Sequence, residues 1–161
     1  MQVLDASSII YAWDNYPLRQ FPPLWKWIAS QINANTLVIS KVAHDEEVRP
    51  KVPELAKWLE EKGIERLKVT DEIIQEAVRI KSALGIEDDK YHSSGVGEND
   101  ILIIATARVH GLELISDEAR QVILPKSKAK MKIPAVCDLD EVDVQCLSFL
   151  ELIKRSDVVF G

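Results

Sequence analysis

The sequence predicts an α/β fold with a mostly parallel central sheet flanked by helices, in one domain covering residues 1–161. Short apolar runs rich in β-branched residues alternate along the chain with longer segments whose apolar residues recur at helical spacing. Strands that are joined by helices pair in parallel. The chain has 161 residues, of which 47% are hydrophobic, and this is enough to bury one sizeable core.

The first predicted strand ends at an acidic residue. The apolar run Val3-Leu4 leads directly into Asp5, and a short helix is predicted from Ser7 to Trp13. Ligands of open α/β sheets bind outside the carboxyl ends of the strands. Two interpretations of Asp5 are open, because its charge could be met by the N-terminus of that helix or by a metal ion.

A second helix and a second strand follow. The two prolines at 22–23 begin the helix. The residues on its apolar face, judged by spacing, are Leu24, Trp27, Ile28 and Ile32. Trp27 is therefore predicted to lie in the core and Trp25 to be exposed. Residues 36–40 form a short β-branched run that is typical of a buried parallel strand.

The next predicted helix, residues 41–48, carries three consecutive acids, Asp45, Glu46 and Glu47. Neighbouring residues on an α-helix point about 100° apart, so only one of the three can point fully into a cleft at the edge of the sheet.

Asp100 opens the most apolar helix of the chain, which is predicted to run to His110. Two helices beginning at Pro53 and at Thr70 precede it. The polar segment Ile86–Gly97 lies between them and Asp100, and we expect it to be a mobile loop.

A further strand, residues 112–115, leads into Ser116-Asp117-Glu118. A basic loop follows, in which Lys126, Lys128 and Lys130 could contact RNA phosphates, although runs of charge usually mean no more than a solvated surface. An edge strand near residues 144–147 and a helix capped by Ser148 are predicted to close the fold.

The composition limits the classes of function. A formal net charge of −6 argues against binding nucleic acid through bulk electrostatics, but not against a local basic strip beside a metal site. The two cysteines, Cys137 and Cys146, are too few for a disulfide framework and have no zinc-site spacing. Because no apolar stretch is long enough to span a membrane and no secretory signal is evident, we expect a soluble, cytoplasmic protein.

The acidic positions after the strands predict a metal site. All strands of a parallel sheet end at the same edge, so Asp5, the acids of 45–47, Asp100 and the acids of 117–118 can converge there. Carboxylates that meet repel one another, and a divalent cation relieves the repulsion. Oxygen ligands favour Mg²⁺ or Mn²⁺, which support attack of water on a phosphodiester. The alternative is four unrelated caps and surface acids.

Four motifs follow one another along the chain: Val3-Leu4-Asp5-Ala6-Ser7, the spacing from Ser40 to Glu46, Glu98 to Ala107 with Asp100 at the start of an apolar helix, and His110 to Ser116. Together they resemble the motifs of PIN domains, the fold of VapC-type toxins and of many metal-dependent ribonucleases. The segment Lys132–Cys137 and the closing helix are similar to an uncharacterised PIN-like subfamily, so the resemblance covers nearly the whole chain.

The resemblance implies a single PIN-like domain of Rossmann-like, three-layer architecture and a set of site residues. The implied metal-facing acids are Asp5, Glu46, Asp100 and one of Asp117 or Glu118. Ser7 would orient the Asp5 carboxylate or a metal-bound water, and Ser116 would act similarly at the fourth position. The usual fourth motif is Thr-x-Asp, and this sequence has Ser116-Asp117-Glu118 in its place. By spacing, Glu118 corresponds to the motif's Asp. Asp45 and Glu47 remain alternatives to Glu46.

The function that the resemblance implies is a Mg²⁺- or Mn²⁺-dependent ribonuclease. As a VapC-like toxin, the protein would act on RNA and bind a cognate antitoxin. Whether it would also form a homodimer is left open. An inactive PIN scaffold that binds RNA or a protein is the alternative, and the altered fourth motif favours it. A phosphatase built on Asp5 is disfavoured because haloacid-dehalogenase-like enzymes need an acid where Ser7 stands.

Overall fold

Five short parallel strands form the central sheet in a computed structural model that describes all 161 residues. The strands are β1 (Gln2–Leu4), β2 (Leu37–Ser40), β3 (Arg66–Leu67), β4 (Glu113–Ile115) and β5 (Cys146–Leu147). Their order across the sheet is β3-β2-β1-β4-β5, and every neighbouring pair is parallel. The predicted α/β fold with a parallel sheet flanked by helices is confirmed.

Helices connect the strands. They are α1 (Ala6–Asn15), α2 (Pro22–Asn33), α3 (Arg49–Lys51), α4 (Pro53–Glu61), α5 (Asp71–Ala83), α6 (Glu98–His110), α7 (Ile133–Cys137) and α8 (Phe149–Ser156). A π-helical segment, Ala43–Val48, precedes α3, and a 3₁₀ turn, Lys128–Lys130, precedes α7. None of the helices combines the length and the apolar character that a membrane-spanning segment needs.

The register places the carboxyl ends of β1, β2 and β4 side by side. Leu4, the last residue of β1, pairs with Ile39 on one side and with Ile115 on the other. All three side chains are fully buried, as expected for a parallel sheet covered on both faces. The residues that follow these strands therefore emerge next to one another at one edge.

The prediction that Trp25 is exposed is wrong. Trp25 is only 3% exposed, and its indole N–H donates to the carbonyl oxygen of Tyr16 at 2.6 Å. Its ring packs edge-on against Trp13 and Trp58, with ring centroids 5.4 and 5.0 Å away. Trp27, predicted to lie in the core, is half-buried and packs against the core. The helical spacing within α2 could not reveal this, because other elements supply the side chains that cover Trp25.

The segment before α6, expected to be a mobile loop, is packed against the basic loop. Val96 is buried, and its backbone N–H donates to the carbonyl oxygen of Met131 at 2.9 Å. A Cβ atom at Gly95 would lie 1.9 Å from the carbonyl oxygen of Ala129, far inside van der Waals contact. Only glycine therefore allows this close approach of the two backbones.

A candidate active site of acidic residues at the sheet edge

Asp5 lies at the centre of the carboxyl edge and is 2% exposed. Ser7 Oγ donates to its Oδ2 at 2.5 Å, and Ser116 Oγ donates to the same oxygen at 3.0 Å. Burial raises the pKa of Asp5, and the negative charge of Asp100 adds to this, whereas the two hydroxyl hydrogen bonds oppose it. Asp5 occupies the N-cap position of α1, but its side chain makes no capping hydrogen bond. The two serine hydroxyls are therefore its side-chain partners, and the backbone N–H of Ala6 at the start of α1 makes the smallest opposing contribution to its pKa.

The two serine hydroxyls join the end of β1 to the segment after β4. Their oxygens lie 3.2 Å apart. The backbone N–H of Asp117 donates to Ser7 Oγ at 3.0 Å, and the N–H of Glu118 donates to Ser116 Oγ at 3.3 Å. The same hydroxyls that hold the Asp5 carboxylate thus also fix the backbone that carries the downstream acids.

Asp100 stands in the first turn of α6, where its Oδ2 accepts from the backbone N–H of Gly97 at 2.9 Å. Burial raises the pKa of Asp100. The Gly97 hydrogen bond and the positive charges of Lys132 and Lys51 act in the opposite direction. The charge of Asp100 raises the pKa of Asp5, so the two acids interact although they are 95 positions apart in the chain.

In the segment after β2, the acid that joins this group is Glu47 and not Glu46. Burial raises the pKa of Glu47 to about 7, and the charges of Asp5 and Asp100 contribute to the increase. Its Oε2 is buried and has no hydrogen-bond donor. Glu46 is exposed and lies on a different surface, in a shallow pocket with Lys41.

The local helix shifts which of these acids faces the cluster. Residues 43–48 form a π-helix, with hydrogen bonds from i to i+5, so each residue turns less around the axis than in the α-helix that the sequence predicts. Asp45 is not available to the cluster, because Lys41 and His44 hold its carboxylate and lower its pKa to about 2.

Of the two acids after β4, Glu118 interacts most with the cluster. Burial raises its pKa, and the charges of Asp100 and Asp5 raise it further, while Lys132 lowers it. Asp117 Oδ2 instead accepts from the backbone N–H of Phe149 at 3.1 Å, at the start of α8. The Asp117 side chain thus serves to position α8.

Two lysines border the acids. Lys132 Nζ lies 3.9 Å from Glu118 Oε2. Lys51 is exposed, has no ion-pair partner, and lowers the pKa values of Glu47, Asp100 and Glu118. Lys51 is not among the residues predicted from the sequence, although its position four residues after Glu47 on a helical segment was a usable signal.

The three lysines predicted to contact RNA are exposed and lie in the first part of the basic loop, before Lys132. Lys126, Lys128 and Lys130 all face solvent, and Lys128 Nζ lies 3.5 Å from Glu141 Oε1. Lys132, at the end of the same loop, is the basic residue that borders the acidic cluster.

We define the acidic cluster as Asp5, Glu47, Asp100 and Glu118. No three His, Cys, Asp or Glu side chains are close enough in this structure to form a metal-binding group. The donor chemistry nevertheless suits a hard divalent cation, because all four groups are carboxylates. A buried Glu47 oxygen without a donor, beside other acids that raise its pKa, also fits a cation.

Comparisons with known proteins agree with this topology. A model of the family described as "Domain of unknown function (DUF4411)" matches residues 2–160. The structure of VapBC2 from Rickettsia felis, bound to a DNA fragment from their promoter, is similar with a TM-score of 0.57 and 14% identity over 91% of this chain and 97% of that chain. FitAcB from Neisseria gonorrhoeae is similar with a TM-score of 0.52 and 17% identity over 93% and 99%. No curated protein sequence matches. The similarities show a PIN-like fold, as the sequence predicted.

Proposed function

The chain belongs to the DUF4411 family and has a PIN-like fold, and on that premise we propose that it is a metal-dependent endoribonuclease, the toxin of a toxin–antitoxin pair. The single observation that carries the proposal is the buried, donor-free Oε2 of Glu47 beside Asp5, Asp100 and Glu118. Acids that repel one another at a ligand-binding edge are neutralised by a proton or by a bound cation, and cations held by carboxylates suit phosphodiester hydrolysis.

The residues that would hold Mg²⁺ or Mn²⁺ are those of the acidic cluster. The bound metal would supply a nucleophilic water and stabilise charge on the reacting phosphate. Ser7 and Ser116 keep the Asp5 carboxylate in one orientation, and the Gly97 N–H does the same for Asp100. Such support reduces the reorganisation that metal binding needs.

Substrate RNA would be held by local positive charge, because the chain as a whole carries −6. Lys51 and Lys132 border the acidic cluster, and each can meet a phosphate of the bound strand. The exposed Lys126, Lys128 and Lys130 would extend this contact along the strand.

We also propose that the protein is cytoplasmic and that an antitoxin is its partner. A homodimer is the oligomeric state to be tested. The similarity to the VapBC2 complex, whose toxin component shares this fold, supports the antitoxin. Binding of the partner over the cleft would keep RNA away from the acids.

The test is cleavage of a mixed structured RNA pool in Mn²⁺, in Mg²⁺ and in EDTA. The proposal expects cleavage that requires the metal and is lost in Asp100→Asn. The matched control is Asp89→Asn, which changes an exposed acid outside the cluster and should cleave like the wild type. Isothermal titration with Mn²⁺ gives a readout that does not need activity, and Asp100→Asn should bind the ion more weakly.

A catalytically inactive scaffold is the second candidate. Two observations favour it: Ser116 and Glu118 replace the usual Thr-x-Asp, and the acids stand too far apart to form a metal group as they are placed. Folded wild-type protein that binds RNA or a partner but cleaves nothing in either metal would establish the scaffold and reject the enzyme.

A further inference from the structure

The largest exposed apolar run of the molecule lies shortly after Glu118, the last residue of the acidic cluster along the chain. Val122, Ile123 and Leu124 are 97%, 89% and 59% exposed. A single exposed aliphatic side chain is ordinary, but three in succession form a patch of the kind that marks an interaction site. We call these three residues the apolar strip.

The apolar strip is presented on a fixed frame. The Gln121 side chain donates to the carbonyl oxygen of Lys130 at 3.1 Å and accepts from the N–H of Lys132 at 2.8 Å. Arg120 donates to the carbonyl oxygen of Cys146 at 3.0 Å and pairs with Glu151 at 3.0 Å. Both residues that precede the strip are thus anchored, so its apolar side chains are held in solvent instead of folding back onto the core.

The frame also places the apolar strip beside the candidate active site. Lys132, which Gln121 holds through its backbone, has its ammonium 3.9 Å from the carboxylate of Glu118. The strip itself begins four residues after Glu118. A molecule seated on the strip would therefore lie at the border of the acidic cluster.

The chemistry of the strip favours a protein as its occupant. RNA would use the neighbouring lysines, but Val, Ile and Leu side chains offer no aromatic face on which bases stack. A second copy related by a two-fold axis would bring this strip and its adjoining basic loop against the same surface. The exposed Lys126 and Lys130 next to the strip instead complement an acidic segment, whereas Lys128 lies 3.5 Å from the Glu141 carboxylate.

We propose that the apolar strip and the adjoining lysines dock an acidic, amphipathic segment of the antitoxin, which seats its apolar face on Val122, Ile123 and Leu124. The identity of the partner rests on the proposed function. The location of the docking surface rests on the exposure, the anchoring and the charge of this loop. The bound segment would extend from the strip over the edge of the acidic cluster.

The experiment uses the full chain and, as probe, the protein encoded by the reading frame adjacent to its gene, taken as the antitoxin. Its affinity is measured by isothermal titration for the wild type and for the triple variant Val122→Ser, Ile123→Ser, Leu124→Ser. The matched control is Val159→Ser, because Val159 is 93% exposed and lies in the C-terminal tail. We expect the triple variant to bind at least about 30-fold more weakly, as for a central hot spot, and the control to bind like the wild type.

Equal affinity of the triple variant and the wild type, or no binding of the probe to the wild type, would overturn the docking proposal. Loss of RNA affinity with unchanged probe affinity would assign the strip to RNA and overturn it as well. A dimer in light scattering that the triple variant dissociates would assign the strip to a second copy. RNA cleavage by the triple variant without the probe is measured separately, so that failure of the nuclease and failure of the docking surface are distinguished.

Discussion

Replacing Glu47 by glutamine should stabilise the metal-free protein at alkaline pH and leave its stability unchanged at acidic pH. The folded protein holds the pKa of Glu47 at about 7, against 4.5 for an ordinary glutamate. Below pH 4.5 both the folded and the unfolded chain carry this proton. Between pH 4.5 and about 7 the unfolded chain has lost the proton and the folded protein keeps it, so stability falls as pH rises. Above about pH 7 both are ionised and the penalty is complete.

The size of the effect follows from the same pKa. A change from 4.5 to about 7 corresponds in full to about 3 kcal/mol. Glu47 is only half-buried, so water and salt screen its charge, and we expect about 1–2 kcal/mol. For a chain of 161 residues this is a rise of about 2–8 °C in Tm.

The assay is urea unfolding of the wild type, Glu47→Gln and Glu46→Gln in EDTA, at about pH 4.5 and about pH 8.5. Glu46→Gln removes the neighbouring carboxylate from an exposed position and should change stability little at either pH. A Glu47→Gln variant no more stable than the wild type at the higher pH would show that burial does not penalise the ionised Glu47 side chain. The same gain in Glu46→Gln would show that the effect is not specific to Glu47.

Three further outcomes are expected. Lys51→Ala should weaken RNA binding and reduce the slope of log affinity against log salt by about 0.7, measured by fluorescence anisotropy in EDTA. The control Lys57→Ala, which changes an exposed lysine of α4, should leave both unchanged. Equal slopes for Lys51→Ala and the wild type would show that Lys51 does not contact RNA. Gly95→Ala should cost about 1–3 kcal/mol in urea unfolding, because its Cβ would overlap Ala129, and an unchanged midpoint would contradict this packing. Ser116→Ala should weaken Mn²⁺ binding about 10-fold or more in titration calorimetry, because Asp5 loses a donor, and wild-type affinity would show that this hydrogen bond is dispensable.

The sheet and the position of two cluster acids could be predicted from local pattern. The short apolar runs identify β1, β2 and β4, and parallel pairing brings their ends together. Asp5 follows β1 directly, and Asp100 opens a helix with a clear apolar pattern. After β4, local pattern left Asp117 and Glu118 as alternatives, and family spacing favoured Glu118. Their roles as metal ligands stay a prediction.

Glu47 could not be selected from the sequence because its orientation depends on a π-helix. The α-helix predicted for this segment left Asp45, Glu46 and Glu47 as alternatives. The spacing of the PIN-domain motif favoured Glu46. The widened turn of residues 43–48 brings Glu47 toward Asp5 and leaves Glu46 in solvent. The burial of Trp25 could not be predicted for a similar reason. It depends on contacts with Trp13 and Trp58, which lie outside α2 and do not affect the spacing of its apolar residues.

Metal-dependent RNA cleavage distinguishes a nuclease active site at the acidic cluster from a cluster of acids without catalysis. The kcat/KM for metal-dependent RNA cleavage is compared for the wild type, Glu47→Gln and Glu46→Gln. We predict that Glu47→Gln loses about 100-fold or more, or about 2.7 kcal/mol of transition-state stabilisation, while Glu46→Gln stays near the wild type. Full activity in Glu47→Gln, or an equal loss in Glu46→Gln, would contradict the account.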